Sequence, residues 1–182
     1  MTTWPAPAIA EATDAVSSAT VLGVIKYAPE ALPTLQQMLF GIETGSIGEM
    51  SAIAILLGLI YMIWKKVITW HIPISILITV ALFTGVLYII NPIELYNPII
   101  HLASGGLMLG ACFMATDYVT SPMTKKGMII YGVGIGFITM AICLWGAYPE
   151  GVSFAILLMN AFTPLINTYT SPKRFGEVKK NG

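Results

Sequence analysis

Between Met50 and Tyr169 the sequence is a series of apolar runs broken only by short polar connections. Met50–Trp64, Ile72–Ile90, Pro98–Ala115, Gly127–Gly146 and Val152–Tyr169 contain no Asp, Glu, Lys or Arg. At 1.5 Å per residue, about 20 apolar residues cross the roughly 30 Å hydrocarbon core of a bilayer. Lipid offers no hydrogen-bond partner to an open backbone, so such runs are built as helices. The expected fold is all-α, a polytopic membrane helix bundle with five transmembrane helices. Only 10% of the residues are charged, against about 25% in soluble domains. The first run is short for a span, so its helix is expected to continue past Lys65 and Lys66 with snorkelling side chains, or to be otherwise adapted.

Charge orients the bundle. Five spans put Lys65, Lys66, Lys125, Lys126, Lys173, Arg174, Lys179 and Lys180 on one side, eight of the nine basic residues, with Lys26 on the other. Glu11, Asp14, Glu30, Glu43, Glu49, Glu94 and Glu150 fall on the side of Lys26. Lys and Arg are retained on the cytoplasmic side, so the C-terminus is expected inside and the N-terminal stretch outside. A formal net charge of zero leaves no basic footprint for nucleic acid.

The spans carry few chemical groups. No acid or lysine stands at mid-depth, which argues against a complete proton pump in this chain. His101 is expected near the outer end of the third span, and His71 and Asp117 at inner ends. Ser75, Thr79, Thr84, Thr139, Asn160 and Thr163 are uncharged polar groups within spans. Such groups usually bond their own helix or a neighbour, and they can also meet an ion or the edge of a cofactor. Cys112 and Cys143 have no second Cys or His at metal-ligand spacing, and the topology puts them too far apart for a disulfide. Gly106 and Gly110 make a GxxxG step, and Gly132, Gly134 and Gly136 alternate. Close helix packing explains them; room for a flat ring against a helix is the other reading.

Ahead of the spans, Pro33–Phe40 reads as a short interfacial helix with Pro at its start and Gly41 past its end. The connection from Gly41 to Glu49 is rich in glycine. Gly45 and Gly48, before a helix start, can present backbone N–H groups to a phosphate, or can serve only as a flexible loop. Earlier still stands a short polar loop, Asp14-Ala15-Val16-Ser17-Ser18-Ala19-Thr20. Capping and turn formation account for Ser, Thr and Asp there. A threonine hydroxyl flanked by small residues in an exposed loop can also be esterified by a phosphate-bearing cofactor.

That loop resembles the flavinylation signal of the Rnf and Na+-translocating NADH:quinone reductase complexes. In those families an acid precedes an Ala-Thr ending and FMN is joined to the Thr hydroxyl through its phosphate. Asp14, Ser17, Ala19 and Thr20 fit the signal; Ser18 stands where its commonest form has Gly. Four further stretches look like the D subunit of the Rnf complex: Met1-Thr2-Thr3-Trp4; Gly48-Glu49-Met50-Ser51; Met114 to Pro122 with Gly127 and Tyr131-Gly132; and Gly151 to Ala155 with Asn160 and Pro164-Leu165-Ile166.

The resemblance implies a flavin-carrying membrane subunit of a ferredoxin:NAD+ oxidoreductase that couples electron transfer to Na+ or H+ movement. It implies covalent FMN on Thr20, a second, noncovalent flavin such as riboflavin, other Rnf subunits and a flavin transferase as partners, surrounding lipid, and the bacterial cytoplasmic membrane as location. Residues 1–47 then form an extracytoplasmic flavin-acceptor loop, 48–171 the five-helix region and 172–182 a cytoplasmic basic tail. The B subunit of the quinone reductase is the close alternative. A non-redox transporter and a structural anchor are the readings from other classes. The family protein has membrane helices before the acceptor loop that this sequence lacks, so the sequence reads as a fragment or as one whose start is placed too late.

Overall fold

The computed structural model of the chain describes residues 51–90, 97–103, 105–146 and 151–171, together with Phe40. Every regular element among them is helical: α1 Ala52–Trp64, α2 His71–Ile90, α3 Pro98–Ala103, α4 Gly105–Leu109, a π-helical turn Gly110–Met114, α5 Lys125–Trp145 and α6 Val152–Thr170. Three of these, α2, α5 and α6, are long and apolar enough to cross a membrane. The described residues therefore form an all-α membrane helix bundle, and its long helices follow the apolar runs closely.

Two of the expected spans are not single long helices. The first does not continue past the lysines. α1 has 13 residues, about 20 Å of helix. Lys66 takes a left-handed conformation at φ 57°. Its N–H donates to the Ile63 carbonyl at 2.9 Å, and the Val67 N–H donates to the Met62 carbonyl at 3.0 Å. This pair of bonds is a Schellman ending, which terminates a helix and satisfies its last carbonyls. The third expected span is not one α-helix but α3, α4 and the π turn in succession. The Ala115 N–H reaches back five residues to the Gly110 carbonyl at 2.8 Å, the wider ring that defines a π turn.

Glycine lets the helices approach. An added Cβ at Gly132 would lie 2.6 Å from Ser75 Cβ and 3.1 Å from the Ile72 carbonyl oxygen; at Gly136 it would lie 2.8 Å from Thr79 Cβ and 3.1 Å from the Ile76 oxygen. Residue numbers rise together along this seam, so α2 and α5 run parallel. The α5–α6 pair is antiparallel: Thr124 Oγ1 meets Thr170 Oγ1 at 2.7 Å, and Tyr131 meets Asn160 further along. Without a hydrophobic drive in lipid, close van der Waals packing of this kind is what holds helices together. One core joins Ile72, Ile76, Val80, Ala111, Tyr131, Ile135, Met140 and Ala155. A second packs Ile55 and Leu59 of α1 against Met108 and Cys112.

This packing brings the lysine pairs to one end. Thr69 Oγ1 donates to Met128 Sδ at 3.3 Å, and the Tyr118 hydroxyl donates to the Val67 carbonyl. The start of α2 therefore lies beside the start of α5, as the charge pattern requires. Cys143 and Gly151 lie toward the opposite end.

Candidate functional site

Asp14, Ser17, Ser18, Ala19, Thr20, Gly45 and Gly48 lie outside the described residues, as do residues 172–182 and all of the short helix expected over Pro33–Phe40 except Phe40, which is helical and exposed. The described residues form the helical frame.

Within the frame, most span hydroxyls are spent locally. Ser75 donates to the His71 carbonyl at 2.6 Å, Thr79 to Ser75 at 2.7 Å, Thr84 to Val80 at 2.8 Å and Thr163 to Met159 at 3.2 Å. Each bonds the carbonyl four residues back, the ordinary use of a Ser or Thr within a helix. Asn160 accepts the hydroxyl proton of fully buried Tyr131 across the α5–α6 contact. Thr139 alone among the six expected polar groups breaks the pattern: it is buried, and its Oγ1 has no partner among the described residues.

A hollow of about 580 Å³ opens on the outer side of the α2–α5 seam, lined by residues that include Ser75, Thr79, Phe83, Val86 and Val133. Its size falls in the roughly 300–1,000 Å³ range of small-molecule sites. Its chemistry does not fit a flavin ring, whose polar edge needs donors and acceptors. The two polar side chains on the wall, Ser75 and Thr79, have given their protons to their own helix. The hollow suits hydrocarbon, such as a lipid tail. The glycines are likewise spent on packing: Gly132 and Gly136 on α2, Gly134 against Met159 and Gly110 against Val152, where an added Cβ would fall 2.6 Å from a side-chain carbon in each case. Of the two explanations for the small residues, packing is the one these contacts support.

Cys112 and Cys143 are both buried free thiols. His101 is buried too, at 3% exposure, whereas its position in the sequence pointed only to the end of a span. The stretch from Met114 to Pro122 connects the π turn to α5. There buried Pro122, Gly127 and Thr170 close on one another, with an added Cβ at Gly127 falling 3.0 Å from Pro122 Cβ and 3.0 Å from Thr170 Oγ1. The pairing of Tyr131 with Asn160 had no signal in the sequence beyond two polar groups at membrane depth.

The family described as NQR2, RnfD, RnfE matches the chain over residues 1–176. The chain is 44% identical, over 98% of its length, to the D subunit of the Na(+)-translocating ferredoxin:NAD(+) oxidoreductase complex of Acetobacterium woodii. It is 45% identical, over 97% of its length, to the D subunit of the proton-translocating ferredoxin:NAD(+) oxidoreductase complex of Clostridium ljungdahlii. The D subunit of an ion-translocating oxidoreductase complex of Escherichia coli O17:K52:H18 is 39% identical over 91% of the chain. These alignments cover 56%, 56% and 49% of the relatives, so the chain spans about half the length of the curated relatives it matches.

Proposed function

Because the chain belongs to the NQR2, RnfD, RnfE family, we propose that it is the flavin-carrying membrane subunit of an ion-translocating ferredoxin:NAD+ oxidoreductase complex. The observation that carries this reading is the 44% identity with a D subunit along 98% of the chain, together with the Asp14–Thr20 signal within the matched residues. Thr20 carries FMN as a phosphoester on its hydroxyl. Asp14, Ser17, Ser18 and Ala19 form the stretch that the flavin transferase recognises, and the small side chains leave the hydroxyl accessible. Gly45 and Gly48 offer backbone N–H groups to the phosphate. When bound, FMN supplies the electron-carrying chemistry, and the protein supplies its position and electrostatic surroundings.

The chain crosses the bacterial cytoplasmic membrane five times in this reading. α1 and the α3–π turn segment make the two passes that are not single long helices. Thr20 is extracytoplasmic and the basic C-terminus cytoplasmic. Both lysine pairs at one end of the bundle support this orientation under the rule that Lys and Arg stay inside. The coupling ion is Na+ or H+, and the other subunits of the complex are the partners. A transporter or an anchor would share the helices and leave the acceptor loop unexplained.

The test is Thr20→Ala. Protein-linked flavin fluorescence on a denaturing gel should disappear in the variant and be present in the parent. A full signal in the variant would remove Thr20 from the proposal.

A further inference from the structure

The helix α6 carries three different faces. Successive residues turn by about 100°. Val152, Ala155, Ile156, Met159 and Thr163 therefore fall within one arc, and all of them are buried against the bundle. Phe154, Leu158, Phe162, Leu165 and Tyr169 fall within a second arc. Each of these is exposed, and an exposed apolar and aromatic face suits contact with lipid. The third arc holds Ser153, Asn160, Pro164, Asn167 and Thr168, with Leu157 among them. Ser153, Leu157, Pro164 and Thr168 are exposed, and Asn160 and Asn167 are half-buried. Such a polar face on a membrane helix is turned toward other protein or toward water, not toward hydrocarbon.

Part of this face is satisfied within the bundle. Asn167 Oδ1 accepts from the Met123 N–H at 3.1 Å, and the Thr168 hydroxyl donates to the Pro164 carbonyl at 2.9 Å. Asn160 is satisfied only in part. Its Oδ1 accepts from the Tyr131 hydroxyl, which leaves the two N–H groups of Nδ2 for another acceptor. Its main chain has the opposite need. Pro164 stands inside the helix four residues on and has no N–H to return to the Asn160 carbonyl. A donor and an acceptor thus lie together near the middle of a 19-residue span. Hydrocarbon can meet neither of them.

We infer that this face receives a membrane-spanning helix of another subunit, one that sets a neutral carboxamide or hydroxyl side chain against Asn160. That group accepts from Nδ2 and donates to the Asn160 carbonyl. The pairing of needs fixes the chemistry: a carboxylate accepts but cannot donate, an ammonium donates but cannot accept, and Asn, Gln, Ser and Thr do both. Interhelical hydrogen bonds from such residues are a general means of helix association in lipid. That the helix belongs to another subunit rests on the membrane complex proposed as this chain's setting.

Photocrosslinking in the full protein within its native membrane assembly tests the face. Leu157 and Leu158 are neighbours, 66% and 47% exposed, on the polar and the lipid arc respectively. Leu157→p-benzoylphenylalanine should crosslink to a membrane-spanning segment of another subunit, and Leu158→p-benzoylphenylalanine to lipid. Crosslinks from position 157 that are confined to lipid, to this polypeptide or to a second copy of it, in a complex whose other subunits co-purify, would overturn the assignment and leave the chain's place in a complex standing. Absence of any co-purifying subunit from the parent would overturn both. The second test is subunit retention by the purified full protein under detergent washing. Tyr131→Phe and Tyr131→Phe/Asn160→Leu both lack the Tyr131–Asn160 bond and differ only at Asn160. The double variant should lose the partner subunit that Tyr131→Phe retains, and equal retention would count against Asn160 as the contact.

Discussion

Gly132→Ala tests the seam on which the bundle is built. The new methyl carbon would sit 2.6 Å from Ser75 Cβ and 3.1 Å from the Ile72 carbonyl oxygen. Carbon atoms pack at about 3.5–4.0 Å, so α2 and α5 must part by about 1 Å at this level. Neither neighbour can swing aside, because one is a β-carbon and the other is backbone. Overpacking of this kind costs about 1–3 kcal/mol. The assay is loss of helical signal from the purified chain as sodium dodecyl sulfate is titrated into mild detergent. The expected result is a loss of stability in that range, partly recovered in the Gly132→Ala/Ser75→Gly double variant, which removes the nearer obstruction. Coupled neighbours of this sort show interaction energies of about 0.5–3 kcal/mol. Gly85, with nothing within 4 Å of an added Cβ, is the internal control. Gly85→Ala should be neutral or stabilising by up to about 1 kcal/mol, the helix-propensity gain. A neutral Gly132→Ala, or additive behaviour with Ser75→Gly, would refute the packing argument.

Tyr131→Phe removes the hydroxyl that Asn160 accepts and leaves a polar group unsatisfied at membrane depth. It should cost about 1–3 kcal/mol in the same titration, and Tyr131→Phe/Asn160→Leu should recover part of that loss. For orientation, a single cysteine at Thr13 should react with an impermeant thiol reagent on intact cells. One at Met123, which is 89% exposed beside the Lys125–Lys126 pair, should react only after the membrane is opened, and the reverse pattern would overturn the proposed sidedness.

The helices were legible where their signals are local. α2, α5 and α6 begin and end within two residues of the apolar runs, because an uninterrupted apolar stretch and its flanking caps lie in one window of sequence. Thr124, whose Oγ1 accepts from the Gly127 N–H at 3.0 Å, and Gly146 at the other end of α5 are such caps. The π turn was not legible. Gly110 is pressed by Val152 and Phe113 by Gly58, contacts between residues far apart in sequence, and no periodicity reports them. The end of α1 was missed because its left-handed residue is Lys66, where Gly is the usual signal. The hydroxyls at Ser75, Thr79, Thr84 and Thr163 followed the general habit of their residue type. Thr139 departs from it: its Oγ1 is buried and has no partner among the described residues. For the candidate site, Asp14–Thr20 is a contiguous signal that sequence alone can carry, whereas the pairing of Tyr131 with Asn160 needs the fold.

The central claim is that Thr20 carries a flavin through which electrons pass. The measurement that tests it most directly is ferredoxin-dependent NAD+ reduction in membrane vesicles containing the assembled complex, parent against Thr20→Ala, with subunit content and protein-linked flavin fluorescence quantified on the same samples. The account predicts an assembled variant complex without the Thr20 flavin, in which NAD+ reduction and the accompanying ion transport both fall toward background. An assembled variant that lacks this flavin and still shows parental electron transfer and ion transport would contradict it.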